Sequence, residues 1–239
     1  MIPMLQDWQH KYLTPFIVLI AFVDGILVAQ QFQIEGEASS VSAVILEDIF
    51  EQKNSSILED TPILTKNVAF VSQAPYGVWT DPWASFAEEA SVYMAYLWVN
   101  SMGAQTREVN GQALLAARDW ELTNLGTYKD TDLSQTFRLL TEYYRLNGEL
   151  SYDLTLETMR ARLDEGKILI VPVQNLENPH YGEPGPVFHM LVIYGYEGEN
   201  FLTNDPGTVR GEAYAYEMQK ILDSIQDLNG ELRMLVVSD

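Results

Sequence analysis

The chain has 239 residues, 47% of them hydrophobic, a formal net charge of -20 and no cysteine. That length can bury one substantial core, and the acidic balance opposes contact with a phosphate backbone, so no nucleic-acid partner is expected. The missing cysteines exclude disulfides, thiolate metal sites, thiol redox function and lipid attachment of the lipoprotein kind.

Leu13 to Val23 is an eleven-residue stretch without charge, preceded by Lys11 and followed by Asp24-Gly25 and a second apolar run, Ile26 to Ala29. It is short for a membrane span, which needs roughly 20 residues, and fits the hydrophobic region of a secretory signal. Residues 1-29 are therefore read as a signal peptide cleaved after Ala29, or as an uncleaved N-terminal membrane anchor, and the expected location is extracytoplasmic. A buried core helix is the alternative for the same stretch. Residues 30-65 read as a linker or stalk, with a short amphipathic helix expected within VSAVILEDIFEQ. The main domain is placed at 66-239, starting with a short strand at Asn67 to Phe70 that leads into Gln73.

Ala87, Ala90, Ser91, Met94, Ala95 and Trp98 recur at helical spacing, which predicts a helix ending near Gly103. Asp132 precedes a second helix carrying Leu133, Phe137, Leu140 and Tyr144, and Thr155 precedes a third with Leu156, Met159 and Leu163, stopped at Gly166. Strands are expected at 168-173, 189-196, 201-204 and 232-237, the second and third joined by a short turn. Helices followed by strands imply an α+β fold.

Read without outside reference, the polar residues have modest meanings. His189 opens a buried-looking strand. Asp205-Pro206-Gly207 is a turn, Gln73 a loop amide, and Trp79 and Trp83 pack beneath that loop. Glu88 and Glu89 sit in a first helical turn, where carboxylates favour the positive end of the helix dipole. The three histidines, His10, His180 and His189, lack paired ligand spacing, so no metal and no cofactor are expected.

Three stretches change this reading: FVSQAPYGVWTDPW, FAEEASVYMAYLW and GPVFHMLVIYGYEGENFLTNDPGT. In order, they resemble the bacteriocin-leader-processing type of papain-like cysteine peptidase, family thirty-nine of the cysteine peptidases, in its stand-alone bacterial branch. The resemblance covers roughly residues 66-239 and implies a papain-like fold, with a nucleophile-bearing helix packed on an antiparallel sheet. In that branch a cysteine usually precedes Glu-Glu-Ala-Ser, which places the nucleophile at Ala87. The resemblance further implies Gln73 as oxyanion donor, His189 as general base and Asp205 as the group that orients it, with Asn204 as runner-up for the last role.

Such a site hydrolyses peptide or amide bonds by a Cys-His-Asp mechanism. An alanine methyl group cannot attack a carbonyl, so the chain as written is expected to be inactive. Ser85 and Ser91 lie off the position of the missing sulfur. Ala87 fits either a natural pseudoenzyme or an introduced substitution. Two functions follow: a peptidase-like protein acting on a peptide or protein substrate, or a non-catalytic module binding peptides or envelope components. A monomer is expected. The loop Gln174 to Pro186 could form one cleft wall, with His180 or Tyr181 touching ligand, and Thr208 to Tyr216 could border the other side.

Overall fold

A computed structural model of the chain describes residues 16-23, 26-33, 64-182 and 185-239. The chain divides into two compact units, Met1–Asp60 and Thr61–Asp239. In the first, β1 (Phe16–Val23) pairs antiparallel with β2 (Ile26–Gln33), Val23 standing opposite Ile26. The run expected to act as signal or anchor therefore has paired, extended backbone, and Gln30–Gln33 continue a strand where a linker was expected to begin. The physical reason is legible afterwards: two apolar runs separated by Asp-Gly are a strong local signal for a two-residue hairpin. The helix expected within VSAVILEDIFEQ lies outside the described residues. Among the described residues no helix is long and apolar enough to cross a membrane.

The second unit runs β3 (Leu64–Thr65), α1 (Ala87–Val99), α2 (Arg107–Asn124), α3 (Leu133–Arg138), β4 (Asn147–Ser151), α4 (Leu156–Asp164), β5 (Ile168–Gln174), β6 (Phe188–Glu197), β7 (Asn200–Asn204), β8 (Tyr214–Glu217), α5 (Met218–Ser224) and β9 (Met234–Ser238). The strands form an antiparallel sheet in the order β4-β9-β5-β6-β7-β8, and β3 pairs with β6. Side chains alternate between its two faces. Ile168, Ile170, Met190, Val192, Leu235 and Val237 enter one core with α1, α2 and α3, while Leu169, Val171, Leu191, Ile193, Met234 and Val236 enter a second with α4 and α5. Two covered faces explain why β5 and β6 read as nearly continuous apolar runs.

Helix α1 packs on β6, α2 and α3. Its amphipathic face is only part of what is buried, because Glu88, Glu89, Val92, Tyr93 and Leu97 are enclosed as well. The next helix begins as its sequence implies: the Asp132 side chain accepts from the Gln135 N–H at 2.9 Å while the Gln135 side chain accepts from the Asp132 N–H at 3.0 Å, a capping box. Leu139–Tyr143 then widens into one π-helical turn. Thr155 caps α4 by accepting from the Thr158 N–H at 3.0 Å, and Gly166, at φ 91°, follows its end in a conformation that suits glycine.

The strand expected at Asn67 to Phe70 does not form. The Asn204 side-chain amide donates to the Val68 carbonyl at 2.8 Å and the Gln73 N–H donates to the Pro206 carbonyl at 3.1 Å, so the segment is tied to the end of β7 without joining the ladder. A buried ion pair secures the far side. Arg233 donates to the Asp227 carboxylate, which also accepts from the Leu133 N–H at the start of α3.

Candidate active site

Strands β6 and β7 run antiparallel, so the start of one and the end of the other lie at the same edge of the fold. His189 is the second residue of β6 and Asp205 immediately follows β7. Their side chains meet: His189 Nε2 lies 2.7 Å from Asp205 Oδ1, with both side chains buried. That contact leaves Nδ1 as the ring nitrogen free to serve a reacting group. Asn204 is not the partner, because its side chain donates to the Val68 carbonyl and accepts from the Ala213 N–H at 3.1 Å.

Asp205 is held by more donors than the sequence suggests. The Gly207 N–H donates to Oδ1 at 2.9 Å, and the hydroxyls of Tyr181 and Tyr216 donate to Oδ2 at 2.7 Å and 2.5 Å. Asn178 donates to the Tyr216 hydroxyl at 2.7 Å and reaches Oδ2 at 3.4 Å. Burial opposes charge on this carboxyl, but the neighbouring His189 and the hydrogen bonds from His189, Tyr216 and Tyr181 outweigh it and hold the pKa down to about 2. Burial first, and then the Asp205 charge, push both tyrosine hydroxyls upward, so each stays a donor. Tyr181 also sets its ring edge against His189, 5.6 Å between centroids at 76°. A carboxylate fixed in this way fixes the imidazole in turn.

A cavity of about 340 Å³ opens beside the pair, and its lining includes Gln73, Trp79, Ser85, Ala87, Glu88, Tyr181, His189 and Gly207. Gln73, Ala87 and His189 thus converge on one space. The Ala87 methyl stands at the first position of α1, whose N-cap residue, Phe86, contributes no side-chain hydrogen bond. Early N–H groups of a helix lack intrahelical acceptors and favour negative charge. Gln73 is oriented differently from a free oxyanion donor. Its Nε2 donates to the carbonyls of Trp83 and Ala84 at 3.1 and 2.9 Å, so both amide hydrogens hold the turn that leads into α1, and its Oε1 is buried without a partner. Ser85 lines the cavity, whereas Ser91 is fully buried with no partner for its hydroxyl. Trp83 packs edge-on against Tyr76 and Phe86, and His180 packs edge-on against Tyr214.

The dipole reading of Glu88 and Glu89 needs correction. Both are buried, and burial first, with Glu121 on α2 adding its charge, pushes both carboxyls well above their ordinary range. Glu121, also fully buried, is pushed up to about 8, again by burial. A helix N-terminus with enclosed carboxyls holds protons as well as charge. Sequence alone put Tyr216 on a segment bordering the cleft and Asn178 in a loop expected to form its wall, but their contacts with Asp205 carry no spacing or motif signal.

An α+β domain whose helix opens onto a buried histidine–aspartate pair at the ends of two inner strands of an antiparallel sheet is consistent with the papain-like cysteine peptidase fold. A Bacillus anthracis protein assigned as a C39-like peptidase shares this architecture in its crystal structure, with a TM-score of 0.50, 12% identity, and coverage of 74% of this chain and 97% of that one. At that identity the likeness concerns the fold. No protein-family model matches the chain, and no curated protein matches it in sequence.

Proposed function

We propose that this chain is a papain-like cysteine peptidase of the family thirty-nine type in which Ala87 occupies the nucleophile position, so that it binds peptide substrate without cleaving it. The observation that carries the reading is that His189, paired with the buried Asp205, lines the same cavity as the first residue of α1. With cysteine at position 87, the thiolate attacks the scissile carbonyl carbon, and His189 delivers a proton to the departing amine. Water, deprotonated by the same imidazole, then releases the acyl group. Asp205 keeps the imidazole in one tautomer throughout, and the N–H groups at the start of α1, which lack intrahelical acceptors, serve as donors for the oxyanion.

A second reading, a binding module for peptides or envelope components, is favoured by the Gln73 amide, whose hydrogens are taken by the Trp83 and Ala84 carbonyls. Under either reading the protein acts outside the cytoplasm. Support for export comes from the apolar run at residues 13-23, which follows Lys11. The test is cleavage of a mixed peptide pool by Ala87→Cys, followed by mass spectrometry. Products and a covalent acyl adduct that both vanish in Ala87→Cys/His189→Ala support the peptidase. Intact peptides and no adduct with the single variant would favour the binding module.

A further inference from the structure

The α1 wall of the cavity carries a charge feature that the Cys-His-Asp chemistry does not use. Glu88 is 3% exposed and lines the cavity, yet among the described residues no other side chain hydrogen-bonds to its carboxyl and no cation pairs with it. The groups facing it are its own N–H, the Thr131 N–H, Glu121 and Asp130. Asp130 lines the same cavity at an exposed position. It too lacks a cation, because the adjacent Lys129 turns to Asp81 at 2.6 Å. None of the cavity's described lining residues is lysine or arginine. Burying a carboxyl away from any counter-charge is costly, and the cost is recovered when a cation arrives to pair with it.

We propose that this wall is a subsite for a basic side chain, lysine or arginine, of the bound peptide. The proposal rests on the peptide-cleft reading above and adds its specificity. The ammonium or guanidinium lies between Glu88 and Asp130, and the aliphatic stem lies along Trp79, which lines the same cavity and gives a long side chain an apolar surface to cover. Without ligand, burial keeps the Glu88 carboxyl protonated over an extended pH range. An incoming cation favours the ionised form, so binding releases a proton. A chain with net charge of -20 also draws basic peptides toward this cleft from a distance.

The test uses the protein as it is, since Ala87 prevents turnover. Fluorescein-labelled hexapeptides carrying lysine at each position in turn are compared by anisotropy with partners in which norleucine, a neutral side chain of similar length, replaces that lysine. A charge-assisted pair inside a cavity predicts a preference of about tenfold or more for lysine at one position and none elsewhere. Glu88→Gln should bring the lysine-to-norleucine ratio close to one, and Asp130→Asn, at an exposed position where folding is not at stake, should lower it. Equal affinity of lysine and norleucine peptides at every position, or a ratio that survives Glu88→Gln, overturns the basic subsite and leaves the peptide cleft standing. Failure of every peptide to bind overturns the cleft reading and the subsite with it.

Discussion

Replacing Asp205 by asparagine removes one charge from the most densely hydrogen-bonded point of the cleft, and its effect on acid stability follows from the structure. The carboxyl titrates at about 2 in the folded protein, against an ordinary value of 3.8. Because the folded value is the lower one, the unfolded chain takes up the proton first as pH falls. The stabilisation is therefore complete above about pH 4 and is lost as pH drops through about 2. At about 1.4 kcal/mol per pKa unit, the gap between 3.8 and about 2 corresponds to about 2 kcal/mol of stability. Urea unfolding of the parent chain and Asp205→Asn, between about pH 6 and about pH 2.5, measures this directly. The parent should lose most of that 2 kcal/mol more than the variant, while the buried glutamates, common to both, cancel in the difference. Parallel losses would refute the claim that the folded protein stabilises a charged Asp205.

The carboxyls between α1 and α2 predict the opposite trend at higher pH. Glu121 is raised to about 8, so its stabilising contribution is full below about 4.5 and disappears as pH rises through about 8; thermal unfolding should show Glu121→Gln gaining on the parent from pH 5 to pH 8, and an identical pH slope would contradict this. Gly211→Ala should destabilise by about 1 to 3 kcal/mol, because its new Cβ would run into the Asp205 carbonyl oxygen and stand 2.7 Å from the Asp205 carbonyl carbon. Urea midpoints read this cost, and an unchanged midpoint would mean that the loop behind Asp205 is looser than described.

Legibility followed the strength of the local signal. Strands β5, β6, β7 and β9 were readable because apolar runs bounded by turn residues leave few alternatives. The starts of α3 and α4 were readable from Asp132 and Thr155, whose side chains cap as those residue types usually do. Helix α2 was not, because its buried residues, Asn110, Gly111, Leu114, Ala117 and Glu121, make a weak apolar stripe. Strands β4 and β8 are short and half exposed, so neither periodicity nor composition marks them. The N-terminal run was read by its hydrophobicity when the Asp24-Gly25 pair was the better guide to its backbone. At the site, Gln73, Ala87, His189 and Asp205 were named from motif order. The supports of Asp205, namely Tyr181, Tyr216 and Asn178, come together only through tertiary folding. The acidity of the cavity wall was equally hidden, since adjacent glutamates at a helix start look like ordinary dipole partners until their burial is known.

The central claim is the proposal that the cleft is that of a cysteine peptidase with Ala87 standing at the nucleophile position. Its most direct test is the rate at which iodoacetamide alkylates Ala87→Cys near pH 6, beside the same variant carrying His189→Ala. An ordinary thiol is mostly protonated and slow there. The account predicts rapid labelling that collapses when His189 is removed, because the imidazolium and the start of α1 together stabilise the thiolate. Slow labelling that is indifferent to His189 would contradict it.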